Sequence, residues 1–304
     1  MRAFNHIAID AGGPFTIKVL RSTQKCWLLV FVCLTYKAVH LEVIYDVSGQ
    51  SFLMAFQRFV ARRGRPSTVM SDNGTNFVLG ERMIAKTWES IYGDISADLQ
   101  AKYPQIVWTF TPPFGPHFNG MYERMVRSAK PALQAVLPPG LIDSEQFHTG
   151  VVMAEGILNG RPLCYVSTDA EELQVLCPNN FIVGRAAADL LPVATAEWKL
   201  TKKMAFIDTL MQEFWNRFLK EMVPQMHLMN KWTRPSRNLQ EGDIVVVLDS
   251  LRRGNWPLAR IVAVKAGGDG KVREATIFME GKPYQRPLSR LMLLVSNDEW
   301  DPHQ

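Results

Sequence analysis

Cysteine is scarce in this chain: Cys26, Cys33, Cys164 and Cys177 are the four among 304 residues, and they stand far apart. No CxxC pair and no histidine pair at zinc spacing accompanies them. That excludes a zinc-bound module and a disulfide framework, and the four read as reduced thiols of an intracellular protein. Long apolar runs are missing too. The most apolar stretch, residues 26–34, is too short to span a bilayer and follows no signal-peptide start, so neither a membrane partner nor a targeting segment is expected. An acidic excess is also absent. The 34 Lys and Arg against 29 Asp and Glu leave a net charge of +5 and a pI near 9.0. Such a balance suits a nucleic-acid partner without being specific to one. What is present is globular: 47% hydrophobic and 21% charged residues, in a length that suits two domains. Met1 leads almost directly into a strand, as in a piece of a longer protein.

The stretch Ser71-Asp72-Asn73-Gly74-Thr75-Asn76-Phe77 organises the rest. It follows a short β-prone run entered through Pro66, which puts Asp72 where a strand ends and the chain turns at Asn-Gly. Alone, Asp72 reads more readily as a turn residue bonded to its own backbone, since Asp-Asn-Gly is a common turn. Two further carboxylates stand in comparable places. Residues 4–10 read as a strand ending in Asp10, broken by Ala11-Gly12-Gly13-Pro14-Phe15. Glu123 lies in the second turn of a predicted helix over residues 121–137, behind a Pro- and Gly-rich loop at 111–120. On that helix Glu123, Arg127 and Lys130 share one face, and Pro131 is a local misfit.

Around these residues the pattern predicts strands at 26–35 and 38–44, giving a meander with the first strand. A helix over 48–63 follows, capped by Ser48 and stopped at Gly64, with Phe52, Ala55, Phe56, Phe59 and Val60 on its apolar face. A helix over 80–92, a polar excursion at 94–102 and a strand at 106–110 come next. Residues 144–160 read as a helix capped by Ser144, and 178–181 as a short helical turn. Residues 194–231 read as a long helix interrupted near Pro224, whose aromatic stripe, Trp198, Phe206, Phe214, Trp215, Phe218 and Met222, is packing surface. After the basic linker 232–238 the period changes to two. Short strands at 243–248, 259–264, 273–278 and 285–295 make a small all-β barrel with basic edges at Arg252, Arg253, Arg260, Lys265, Lys271 and Arg273. The fold class is therefore α/β, a mixed sheet covered by helices, followed by a helical linker and a β domain.

Phosphodiester chemistry uses carboxylates that hold two hard cations about 3.5–4 Å apart. Two strand-borne aspartates and a glutamate behind a loop meet that need, with Mg²⁺ or Mn²⁺ as the fitting ions. In sequence, Ile-Asp10-Ala-Gly-Gly-Pro-Phe, Ser-Asp72-Asn-Gly-Thr-Asn-Phe and His-Phe-Asn-Gly-Met-Tyr-Glu123-Arg resemble the Asp, Asp, Glu triad of retroviral and retrotransposon integrases. The motifs Lys37-Ala38-Val39-His40-Leu41-Glu42, Arg62-Arg63-Gly64-Arg65-Pro66, Ile157-Leu158-Asn159-Gly160-Arg161-Pro162 and Asn179-Asn180-Phe181 narrow the resemblance to BEL/Pao-type retrotransposon integrases. The likeness extends over nearly the whole chain.

The resemblance implies a ribonuclease-H-like core at residues 1–190, a five-stranded mixed sheet flanked by helices. It implies a helical linker at 191–238, a small SH3-like barrel at 239–296 and a tail at 297–304. Asp10, Asp72 and Glu123 would be catalytic ligands of a two-metal Mg²⁺ or Mn²⁺ site, and Asn119, Arg127, Lys130 and Thr75 would contact DNA. The implied activity is 3′-end processing and strand transfer of element DNA into target double-stranded DNA, by a homo-oligomer on DNA in the nucleus, with a possible cytoplasmic particle stage.

The chain also departs from the pattern. It carries no zinc-binding domain ahead of the core, and it has Ala11 where an aromatic is common, Gly160 where serine is common and Pro131 where a basic residue is common. These departures keep a second reading open: a catalytically silent, host-retained DNA- or chromatin-binding protein. A third, a nuclease for RNA/DNA hybrids, is disfavoured by the long Ser-Asp-Asn-Gly motif and the appended β domain.

Overall fold

The computed structural model describes residues 2–92, 105–110, 133, 140, 142–166, 174–184, 202–229, 238–250, 255–268 and 270–297. The chain divides into two compact units, Met1–Leu158 with Val193–Phe214, and Asn159–Pro192 with Trp215–Gln304.

The first unit is built on a mixed five-stranded sheet in the order β3-β2-β1-β4-β5. Strands β1 (His6–Val19), β2 (Ser22–Cys33) and β3 (Val39–Ile44) form the antiparallel meander read from the sequence. Strand β4 (Thr68–Ser71) then pairs parallel with β1, and β5 (Val107–Phe110) parallel with β4. This arrangement fits a ribonuclease-H-like core.

The expected break after Asp10 is not there. β1 runs straight through Gly-Gly-Pro by means of a bulge between Gly12 and Phe15, and regains its pairing with β2 beyond it. Gly13 makes the bulge possible: its φ is +136°, and a Cβ there would meet the Trp27 ring at 2.9 Å. The far half of β1 is held in turn by Gly140 and Ile142, through Gly140 N–H to Thr16 O at 2.9 Å and Lys18 N–H to Ile142 O at 2.7 Å.

Helix α1 (Gly49–Arg63) forms as its sequence dictates. Ser48 accepts a bond from Ser51 N–H at 3.1 Å, and the Gly64 N–H closes the last turn on Val60 O at 2.8 Å. Its buried face is phenylalanine-rich. Phe59 stacks on Phe31 at 4.4 Å and meets Phe4 edge-on at 5.6 Å, while Phe52 meets Phe77 edge-on at 5.3 Å. Each such ring withdrawn from water contributes about 1.5–3 kcal/mol. Helix α2 (Thr75–Tyr92) starts five residues earlier than its apolar pattern suggests, directly on the acidic turn. It packs so closely on α1 that a Cβ on Gly80 would lie 2.1 Å from the Phe52 ring.

Helix α3 (Ser144–Asn159) is capped one residue upstream of the expected Ser144. Asp143 Oδ1 accepts from Gln146 N–H at 2.9 Å and Gln146 Oε1 accepts from Asp143 N–H at 3.1 Å, a reciprocal capping box. An ionic cluster centred on the buried His40 and Glu42 ties α3, α1 and β3 together. His40 places Nε2 at 3.1 Å from Glu42 and Nδ1 at 3.2 Å from Glu155. Arg58 and Arg62 pair with Glu42, Arg63 pairs with Glu155, and Glu155 Oε2 also accepts the Leu41 N–H of edge strand β3 at 2.8 Å.

In the second unit β6 (Cys164–Val166) pairs antiparallel with β7 (Gln174–Leu176) as a short hairpin. It leads into α4 (Pro178–Val183). The second sheet is entirely antiparallel, in the order β11-β10-β9-β8-β12. It comprises β8 (Ile244–Val247), β9 (Leu258–Ala266), β10 (Val272–Met279), β11 (Lys282–Pro287) and β12 (Leu291–Val295). The single run expected at 285–295 is two strands, because the chain turns through a short 3₁₀ segment at Leu288–Arg290. Val245, Val247, Ala259, Ile261, Ala275, Ile277 and Leu291 form its core.

Helix α5 (Lys202–Met229) runs through Pro224 without the expected interruption. Proline removes one N–H bond and bends a helix, and a helix this long accommodates that. Phe214, Trp215 and Phe218 of its stripe are buried, with Trp215 edge-on to Trp256 at 5.1 Å, whereas Phe206 is 38% exposed. Trp198 lies outside the described residues. Among the described residues no helix is long and apolar enough to cross a membrane.

Candidate active site

The order of the first sheet creates one place where the chain changes direction of growth. From β1 it builds outward to β2 and β3, then returns to the other side of β1 to lay down β4 and β5. Ligand sites of open α/β sheets lie outside the strand ends at such a switch point. Here that point is the junction of β1 and β4. Their parallel register runs His6↔Thr68, Ile7↔Val69, Ala8↔Met70 and Ile9↔Ser71, and one residue further along both strands stand Asp10 and Asp72. Neighbouring strands lie about 4.8 Å apart. Two residues 62 positions apart in sequence (72 − 10) therefore come to neighbouring positions on the sheet.

The two are held differently. Asp10 is half-buried and lies within the β1–β2 pairing, opposite Val30, with its Oδ1 accepting from Ala11 N–H at 2.7 Å. Asp72 is exposed, just past the end of β4, and its Oδ1 accepts from Gly74 N–H at 2.9 Å, an Asx-type turn. Gly74 O then accepts from Phe77 N–H at 3.0 Å and Val78 N–H at 3.1 Å, so the acidic turn opens directly into α2. Thr75 is the exposed first residue of that helix. Among the described residues no lysine or arginine pairs with Asp72.

Two carboxylates borne by neighbouring strands are hard oxygen donors, the kind that Mg²⁺ and Mn²⁺ take, so the residues present fit such an ion in kind. Among the described residues no group of three His, Cys, Asp or Glu converges as a metal cluster. Glu123, Asn119, Arg127 and Lys130 lie outside the described residues. Sequence reasoning missed the packing beneath Asp72, where Ser71 is completely buried and Trp108 reaches it from β5. A serine before an acidic turn carries no signal of burial.

Residues 202–294 match the model of a family described as "Family of unknown function (DUF5641)", a span from α5 into β12. No curated protein matches the chain. Among solved structures, the chain is similar to the HTLV-2 integrase catalytic core domain in complex with magnesium (trimeric form). That similarity has 17% identity and a TM-score of 0.33, and covers 54% of this chain and 90% of that one. It is also similar to a simian T-cell lymphotropic virus intasome in complex with PP2A regulatory subunit B56 gamma, at 14% identity and a TM-score of 0.36, covering 98% of this chain and 82% of that one. These neighbours are retroviral integrases. Both superpositions are loose, and the candidate site stands on its own geometry.

Proposed function

We propose that this chain is a BEL/Pao-type retrotransposon integrase, a Mg²⁺- or Mn²⁺-dependent polynucleotidyl transferase that trims the 3′ ends of element DNA and joins them to target DNA. The observation that supports it most is the register of β1 with β4, which brings Asp10 and Asp72 to neighbouring positions at the switch point of the sheet. With Glu123 they form the ligand set. The ions, when bound, steady the charge on the phosphodiester oxygens and favour formation of the nucleophile. Asp10, paired within a long strand, supplies one side of the site, and Asp72, held by its Asx-type turn, supplies the other. Thr75 faces target DNA from the start of α2, while Asn119, Arg127 and Lys130 meet the element end. The protein acts in the nucleus as a homo-oligomer on double-stranded DNA, and its second sheet is an SH3-like barrel whose exposed Lys265, Lys271 and Arg273 lie toward phosphates.

A disintegration assay tests this reading: resolution of a branched DNA by the full chain in Mn²⁺, beside Asp72→Asn and Glu123→Gln. The parent should yield product, and each variant should lose more than about 100-fold, beyond the 10–100-fold typical of removing a ligand's outer-shell partner. A folded parent that binds duplex DNA but gives no product would replace this reading with that of a silent, host-retained DNA- or chromatin-binding protein.

A further inference from the structure

Asp72 lies one residue beyond the last registered pair of β4 with β1, so the ladder itself does not hold it. A chain of side-chain hydrogen bonds does. Ser71, 0% exposed, accepts at Oγ from Trp108 Nε1–H at 3.0 Å and donates from the same oxygen to the backbone carbonyl of Asp72 at 2.9 Å. A hydroxyl can do both at once, having one O–H and two lone pairs. The indole end of this chain is itself immobilised. The Trp108 ring meets Phe52 edge-on at 6.0 Å and lies 6.2 Å from Phe56 and 6.1 Å from Phe110. A rigid aromatic cluster on β5 and α1 is thereby connected, through one buried hydroxyl, to the peptide that carries the candidate ligand.

We propose that Ser71 and Trp108 are positioning residues for Asp72: the indole N–H and the serine hydroxyl fix the Asp72 peptide, and so keep its carboxylate level with Asp10 on the neighbouring strand. This rests on the reading of Asp72 as a metal ligand. The proposal is specific to hydrogen bonds rather than volume. Trp108→Phe keeps an aromatic ring among its neighbours and removes the N–H, Ser71→Ala removes the hydroxyl, and Ser71→Thr retains it. Because the two residues act through one chain, their effects should not add.

The test uses the full-length chain and two readouts. One is amide hydrogen exchange at Gly74, whose N–H bonds the Asp72 carboxylate. The other is Mn²⁺ affinity by water-proton relaxation. Trp108→Phe and Ser71→Ala should each speed Gly74 exchange and weaken Mn²⁺ binding about 10–100-fold, the usual effect of losing an outer-shell partner. Protection of the β1 amides should stay at the parental level, Ser71→Thr should bind Mn²⁺ like the parent, and the double variant should be no weaker than the weaker single. Parental Mn²⁺ affinity in folded Trp108→Phe overturns the proposal, whether or not Gly74 exchange changes. If Asp72→Asn binds Mn²⁺ as tightly as the parent, the ligand reading fails first, and the positioning role falls with it.

Discussion

A Cβ placed on Gly74 would stand 3.0 Å from Asp72 Oδ1 and 2.8 Å from Asn76 Oδ1, inside the turn that holds the carboxylate. Gly74→Ala should therefore displace Asp72, weakening Mn²⁺ binding about tenfold and destabilising the fold by about 1 kcal/mol. Thr75→Ala, at the exposed neighbour, should leave Mn²⁺ affinity unchanged; a Mn²⁺ titration beside thermal melts of both variants decides. His40 offers a second residue-scale prediction. Burial pulls its pKa down, but hydrogen bonds to Glu155 and Glu42 more than offset this, and the net shift is upward from 6.5. A raised folded pKa means that the contribution is complete below the unfolded value and fades as pH rises through the folded one. Glu42 and Glu155 move oppositely. Burial raises both, yet bonds to His40, joined by Arg58 at Glu42 and by the Leu41 N–H and the nearby Arg63 charge at Glu155, bring them below 4.5. Their share is present above that value and is lost as pH falls through the depressed one. Urea midpoints measured from mild acid to pH 10 should fall on the alkaline side in the parent and less steeply in His40→Gln. Parallel curves would show that the imidazole is not the group responsible.

Elements differ in how openly the sequence declares them. α1 was legible from end to end, because Ser48, Gly64 and the Phe52–Phe59 face are all local signals. β1 was not: Gly12-Gly13-Pro14 looks like a stop, and only the partner strand β2 turns it into a bulge. The hairpin of β6 and β7, three residues a side, is too short for periodicity to reveal. The cap of α3 was misplaced by one because Ser144 and Asp143 are both good caps, and the choice falls to the residue three ahead of Gln146. Within helices, two glycines make contrasting predictions. Gly80→Ala drives a methyl to 2.1 Å from the Phe52 ring and should cost about 1–3 kcal/mol by overpacking. Gly150 lies in mid-α3 with the nearest atom, Met211 Cε, at 3.5 Å from a built Cβ. Gly150→Ala should gain about 0.5–1 kcal/mol from helix propensity. Chemical denaturation of the two variants should move their midpoints in opposite directions.

For the molecule as a whole, the net charge of +5 bears on partners rather than on fold. Duplex DNA binding, followed by fluorescence anisotropy, should weaken at least tenfold between 50 and 200 mM salt, since each neutralised phosphate adds about 0.9 to the slope of log affinity against log salt. Affinity indifferent to salt would argue against a DNA-facing surface. The neighbourhood of Asp10 and Asp72 was legible as two acidic motifs, but their adjacency required the crossover that returns β4 to the flank of β1, which no local pattern encodes. The uninterrupted run of β1 through its bulge has a mechanical consequence. Asp10 sits like a load at mid-span of a beam supported on both sides, whereas Asp72 projects from the tip of a cantilever. Stiffness at this junction is thus built unequally: one jaw is carried by the ladders on both its flanks, and the other is only as firm as the single brace that Trp108 and Ser71 provide.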